Sequence, residues 1–227
     1  MSETPSKPAS LARFGSLLGD PLRASILLHL GDGARRPATE LAFLAGASPQ
    51  ALSAHLRQLT DGGLLAVECQ GRYRLYAIAS GETAEMIEAL VSWIGQPTRQ
   101  VKHDPRICCA RLCYDHLAGR LGVGLLDYMI RNDFVSLGQD GPSLTRAGDD
   151  WCGRRGFSPD QTRSRRPLVR LCLDWTERRH HLGGRLAAAI AHRMLQSGYL
   201  RRHPAARSLL VTAKGARFLR SEMGMVL

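Results

Sequence analysis

The sequence predicts a mainly α protein with small β-hairpins, divided into two domains. Three observations lead there. Apolar residues recur at helical spacing from residue 10 to residue 61, broken by Gly and by Asp-Pro and Ser-Pro pairs. Two runs of strand-forming residues flank Gln70-Gly71-Arg72. A segment of the second half, residues 116–135, returns 65 residues later as residues 181–200.

A chain of 227 residues allows one or two domains. Charge places the division. Residues 1–98 carry 8 Lys+Arg against 9 Asp+Glu, and residues 99–227 carry 23 against 11. The change coincides with a polar stretch from Gln96-Pro97 to Asp104-Pro105, so the domains are read as 1–98 and 99–227. Of the 31 basic residues 28 are arginine, which points to an anionic partner, nucleic acid first. No apolar run approaches the roughly 18 residues of a membrane span. The N-terminus lacks a secretory pattern, so a cytoplasmic protein without membrane attachment is expected, its six cysteines thiols rather than disulfides.

Residues 10–18 and 21–30 read as helices, the second started by Asp20 as cap and Pro21 in the first turn. Gly31-Asp32-Gly33 ends it. A short helix from Thr39 to Ala45 turns at Gly46-Ala47-Ser48 into another from Pro49 to Asp61. Two short helices joined by such a turn form a helix-turn-helix. Leu52, Leu56 and Leu59 share the inward face of the second. Ser48, Gln50, Ser53, Ala54 and Arg57 are left to meet DNA, Gln50 by paired bonds to adenine and Arg57 at a phosphate or guanine. Strands at 64–69 and 73–78 then make a hairpin wing carrying Arg72 and Arg74. A final helix runs from Ser80 to Trp93.

Residues 10–95 resemble the ArsR/SmtB winged-helix repressors. The matching pieces are Leu18-Gly19-Asp20-Pro21-Leu22-Arg23, the segment from Ala45 to Leu56 ending Ser53-Ala54-His55-Leu56, and Gly62-Gly63-Leu64 followed by Gly71-Arg72-Tyr73-Arg74. The resemblance implies a homodimer paired through the first and last helices of this domain. It also implies repression by operator occupancy, relieved by an effector, with no catalytic residues. Metal-responsive members of the family carry cysteines in the helix before the recognition helix, or His and acidic ligands in the last helix. Here the first place reads Glu40-Leu41-Ala42-Phe43-Leu44-Ala45, and the last helix has Glu82, Glu85 and Glu88 but no histidine. Either sensing lies in the C-terminal domain, or the effector is not a metal.

In the second half, His116, Leu117, Gly119, Arg120, Leu121 and Met129 recur as His181, Leu182, Gly184, Arg185, Leu186 and Met194. The match resumes at Leu144-Thr145-Arg146-Ala147-Gly148 and Val211-Thr212-Ala213-Lys214-Gly215. Each copy reads as a long helix, a two-stranded hairpin and a short helix capped by the threonine, giving repeat units of about 106–156 and 172–227. The glycines are read as sites of close packing. The basic run from Arg154 to Arg170 is either a solvated surface or a set of phosphate contacts.

Cys108, Cys109, Cys113 and His116 open the first copy. If this stretch is helical, Cys109, Cys113 and His116 lie on one face, a set suited to a thiophilic metal or to trivalent arsenic. Arg106 and Arg111 are expected to lower the thiol pKa values, and Asp115 to orient the imidazole. If the copies pack about a local two-fold, Cys172 or His181 completes the shell. The competing reading is packing, which is also the reading for Cys69 and Cys152. The function expected is a homodimeric repressor of double-stranded DNA transcription, with metal or metalloid sensing at Cys108, Cys109, Cys113, His116, Cys172 and His181. Alternatives are a thiol redox sensor, an organic-ligand-responsive regulator and a cysteine-dependent enzyme.

Overall fold

A computed structural model describes residues 6–70, 73–94, 104–159, 166–203 and 208–227. The chain divides into two units, Met1–Ile87 and Glu88–Leu227. The boundary expected at 98/99 falls within residues 95–103, outside the described residues. Among the described residues no helix is long and apolar enough to cross a membrane.

In the first half, α1 (Lys7–Leu18) and α2 (Pro21–Leu30) are followed by a short strand β1 (Arg36–Pro37). The Asp20 carboxylate accepts the Arg23 N–H at 2.9 Å, which starts α2 as the sequence predicts. Helices α3 (Ala38–Ala45) and α4 (Pro49–Asp61) come next, then β2 (Leu65–Gln70), β3 (Tyr73–Ile78) and α5 (Gly81–Ile94). Ser48 caps α4 by accepting the Ala51 N–H at 3.2 Å. Leu52, Leu56 and Leu59 are fully buried against Ile26, Leu27, Leu30 and Leu41, each worth about 1.5–3 kcal/mol over exposure. The strands form one antiparallel sheet in the order β1-β3-β2. The sequence did not predict β1. A ladder to β3 places it, and the Arg36 guanidinium holds the buried Asp32 carboxylate at 2.7 Å. Cys69, expected to pack inside, is exposed near the free end of the hairpin, beyond the buried start of β2.

The second half departs from the sequence reading at its start. A short helix α6 (Pro105–Cys109) gives way to a tight hairpin, β4 (Arg111–Cys113) and β5 (His116–Ala118). Only then does α7 (Gly119–Arg131) begin, followed by the hairpin β6 (Val135–Gly138) and β7 (Gly141–Leu144) and by α8 (Arg146–Arg155). The order recurs: a hairpin of β8 (Arg170–Leu173) and β9 (His180–Gly183), then α9 (Gly184–Gln196), a hairpin of β10 (Leu200–Arg202) and β11 (Leu209–Val211), and α10 (Ala213–Met223). The cysteine segment is therefore not one helix: Cys108 and Cys109 end α6, Cys113 lies on β4, and His116 and His181 lie on strands ahead of the helices rather than in them. Local sequence hid this because each strand is only three or four residues long, and β4, β5 and most of β9 are buried on both faces, so they show no alternation.

Thr145 and Thr212 cap α8 and α10, each accepting an amide N–H at 3.0 Å. Helix α7 packs on β9, α9 packs on β5, and β5 lies beside β9. Leu117, Leu121, Leu125, Leu182, Leu186 and Ile190 meet in the shared core. Gly119 and Gly184 stand where strand turns into helix, at φ +73° and +86°. A Cβ at either would come within 2.6 Å of the Cys108 carbonyl oxygen or 2.7 Å of that of Pro167. Both positions therefore require glycine.

Candidate functional site

The residues expected to meet DNA lie in the first unit, and the cysteine–histidine cluster lies in the second. On α4, Gln50, Ser53, Ala54 and Arg57 are exposed, opposite the buried leucines. Ser48 is exposed as well, its hydroxyl occupied in capping. Ser53 donates to the Pro49 carbonyl at 2.9 Å, and Arg57 lies 3.6 Å from Asp61. That ion pair is open to water and holds the arginine only weakly. On the wing, Arg74 is exposed, its guanidinium 6.0 Å from the Tyr76 ring centre. Arg72 lies outside the described residues. Arg23, for which the sequence offered no role, ties the domain together. It donates to the carbonyls of Leu17 and Ser16 at 2.8 Å and to the Gln58 side chain of α4.

In the second unit each strand hairpin pairs one cysteine with one histidine. Cys113 is the register partner of His116 across β4–β5, and Cys172 that of His181 across β8–β9. Paired positions place their side chains on the same face of a hairpin. With β5 beside β9 the two faces meet, and one ligand atom from each of the four side chains lies within 4.8 Å of the others. The Cys113 and Cys172 sulfurs are 3.9 Å apart, and the two imidazole centres are 5.1 Å apart. Cys113, His116 and His181 are at most 2 % exposed.

Of the six residues expected to take an effector, the structure brings these four together. Cys108 and Cys109 stay on α6, outside the cluster. The helical spacing that grouped Cys109 with Cys113 does not exist, because β4 intervenes. The expected lowering of thiol pKa values by Arg106 and Arg111 also fails at Cys108. Burial pushes that thiol up and Glu177 adds to the effect, outweighing Arg111. Arg106 is engaged by Asp104 at 2.8 Å.

A carboxylate backs each imidazole. Asp115 Oδ1 lies 3.3 Å from His116 Nδ1, and Arg166 engages the same carboxylate. Asp174 Oδ2 lies 3.3 Å from His181 Nδ1. Asp174 Oδ2 also accepts from Arg111 Nη2 at 3.0 Å and from the Gly119 N–H at 2.6 Å. Its other oxygen accepts from the Thr176 N–H at 2.9 Å, the Thr176 hydroxyl at 2.7 Å and the Glu177 N–H at 3.0 Å. Burial alone would raise the Asp174 pKa; His181, Arg111 and these donors hold it well below the usual carboxylate range instead. His116 Nε2 and both ring nitrogens of His181 are buried and have no hydrogen-bond partner among the described residues.

The two thiols share their protons unequally. The hydrogen bond from Cys113 favours a thiolate on Cys172, and His116 and His181 add to this against the cost of burial. The Cys113 thiol is pushed up correspondingly, by Cys172 and by burial. Burial lowers the His116 pKa, but Asp115 and the Cys172 sulfur more than offset it, to about 9.

Asp174 was not singled out in the sequence, and Arg111 was read only as a neighbour of the thiols, although a signal existed. Arg-x-Cys-x-Asp occurs at Arg111–Asp115 and again at Arg170–Asp174, offset by 59 residues. The offset becomes 65 at the histidines, because the second hairpin carries a longer loop between Asp174 and His181.

A helix-turn-helix domain family matches residues 18–68. YdfF of Bacillus subtilis, an uncharacterized HTH-type transcriptional regulator, is 37% identical over 211 residues, spanning 91% of this chain and 93% of that protein. The chain belongs to the ArsR/SmtB family of winged helix-turn-helix transcriptional regulators. CmtR of Mycobacterium tuberculosis, also an HTH-type transcriptional regulator, is 36% identical over 85 residues, covering 37% of this chain and 71% of CmtR. A solution structure of that protein, described as a cadmium sensor, covers 41% of this chain and 92% of its own, at 34% identity and a TM-score of 0.32. The 211-residue match to YdfF is too long for the first unit alone, so the family likeness runs on into the unit that holds the cluster. In this ArsR/SmtB chain α3 contains neither cysteine nor histidine.

Proposed function

We propose that the protein is a homodimeric repressor that reads its operator with α4 and the β2–β3 wing, and leaves DNA when a thiophilic metal or metalloid ion binds Cys113, His116, Cys172 and His181. The observation that carries the effector reading is the convergence of four ligand atoms, three of them from buried residues and that of Cys172 from a half-buried one, within 4.8 Å. Four such groups without an ion are costly to hold together, and an ion resolves that cost. The DNA reading rests on the exposed face of α4, where Gln50, Ser53, Ala54 and Arg57 are presented with Arg74 on the wing. Dimerisation is supported by exposed apolar side chains on the helices through which the family resemblance implies pairing: Leu11 on α1 at 70%, Trp93 and Ile94 on α5 at 73% and 70%. The second half is read as two copies of one hairpin–helix–hairpin–helix unit, joined at the cluster. The protein acts in the cytoplasm, where DNA and reduced thiols coexist.

The 3.9 Å separation of the Cys113 and Cys172 sulfurs favours one second reading, a thiol redox sensor that closes a disulfide there. Fluorescence anisotropy on the protein's own upstream DNA separates the two. Under reducing conditions, with zinc, cadmium and arsenite titrated in turn, at least one of them releases DNA, and Cys113→Ser abolishes release. DNA binding that ignores every ion but is lost reversibly with peroxide establishes the redox reading instead.

A further inference from the structure

We propose that the cluster is a closed, tetrahedral site for one divalent d10 ion per chain, of the zinc or cadmium kind, bound through both cysteine sulfurs and both imidazole Nε2 atoms, and that it discriminates against trivalent arsenic and antimony. This rests on the reading that the cluster holds an ion, and it names which ion.

The first argument is donor count. A trivalent arsenic or antimony centre is held tightly by three thiolates in a pyramid, and only two sulfurs are here; Cys108 and Cys109 lie elsewhere. Two thiolates with two imidazoles are a donor set for zinc-like ions. The second is distance. Zinc–sulfur bonds of about 2.3 Å at a tetrahedral angle separate two sulfurs by about 3.8 Å. The observed separation is 3.9 Å.

The third argument is the direction of the imidazoles. Each Nδ1 lies 3.3 Å from a carboxylate oxygen, of Asp115 or of Asp174. At His116 that contact is a hydrogen bond, which places the proton on Nδ1 and leaves the lone pair on Nε2, buried without a partner. At His181 both ring nitrogens are buried without a hydrogen-bond partner, and the carboxylate beside Nδ1 leaves Nε2 as the ligand atom. Asp115 and Asp174 are thus positioning residues.

The fourth is charge. Asp115 is paired with Arg166, and Asp174 with the fully buried Arg111. The two carboxylates are already neutralised, so the charge of the inner shell must balance by itself. Two thiolates and a divalent ion sum to zero. A monovalent ion would leave a buried negative charge, and one unpaired charge in such a place is severely unfavourable. All four ligands come from the protein, so a tetrahedral ion has no open position, as suits binding rather than catalysis. Both hairpins belong to one chain, so the ion joins β4–β5 to β8–β9 within a protomer.

The test uses the reduced full-length chain and cobalt(II) as a coloured probe. The expected result is one cobalt per chain, with intense visible bands of a tetrahedral ion and thiolate-to-cobalt charge transfer. Zinc and cadmium displace it, whereas arsenite and antimonite do not. Asp115→Asn lowers cobalt affinity roughly 10–100-fold and keeps the tetrahedral spectrum, while Asp115→Glu recovers part of the loss. A pale octahedral spectrum, one ion shared by two chains, or arsenite displacing cobalt overturns the proposed site. Unchanged affinity in Asp115→Asn overturns the positioning role. Arsenite that binds tightly and releases DNA refutes this ion class and leaves the effector reading standing. Cobalt bound as described with no change in DNA affinity does the reverse. Failure of every ion to bind refutes both.

Discussion

Replacing Asp174 by asparagine tests whether the buried network at the cluster organises the second unit. Asp174 and Arg111 are both 0% exposed, with 3.0 Å between Oδ2 and Nη2. Asparagine is nearly the same size and keeps one acceptor oxygen, so packing is little changed. The carboxylate charge is lost, and with it acceptors for the Gly119 N–H or the Thr176 and Glu177 donors. Arg111 remains as a buried, unpaired cation. Breaking a buried pair from one side costs about 3–5 kcal/mol. With a urea slope of about 2 kcal/mol per molar, the unfolding midpoint falls on the order of 2 M. Trp151 and Trp175 lie in the second unit and report on it by fluorescence. Adding Arg111→Met to Asp174→Asn removes the stranded cation and should return part of the loss. An Asp174→Asn variant within about 0.5 kcal/mol of the parent, or a double variant whose losses simply add, would refute the reasoning.

Further tests concern other parts of the chain. Gly119→Ala should destabilise the second unit by roughly 1–3 kcal/mol, since residue 119 sits at φ +73° against the Cys108 carbonyl; a melting temperature equal to the parent's would contradict this. Cys69 is exposed and should react first with a thiol reagent, while Cys152 is buried and its pKa is pushed up to about 12, chiefly by burial. Because folding favours the neutral thiol, its contribution is complete below about pH 8.5 and is lost as the pH rises toward 12. Alkylation of native protein at pH 8 followed by peptide mapping checks the order, and early labelling of Cys152 would speak against it. Gln50→Ala and Arg57→Ala should each cost about 1–3 kcal/mol of specific DNA affinity where the side chain reaches a base edge. Operator affinities unchanged in both variants would remove α4 from the interface.

The helix-turn-helix half was legible because its signals are local. Asp20-Pro21 and Ser48-Pro49 start helices by capping chemistry that needs no partner, and Leu52, Leu56 and Leu59 mark the buried face by spacing alone. Strand β1 was not legible: two residues carry no pattern, and a long-range ladder to β3 places them. Cys69 was misread because side-chain type says less about burial near the end of a wing than the reach of the hairpin does.

The cluster divides along the same line. Repetition of His-Leu-x-Gly-Arg-Leu announced two related segments, and the residue types Cys and His limited the chemistry to soft or borderline ions. The sequence by itself determined which side chains were available. Only the tertiary structure decided which of them meet. Cys113 and His116 face one another because a hairpin replaced the expected helix, and Cys172 joins them from 59 residues away because β5 lies against β9. Those strands are too short and too buried to stand alone. Their geometry is imposed by the packing of α7 on β9 and α9 on β5, a long-range term that local residue pattern does not encode.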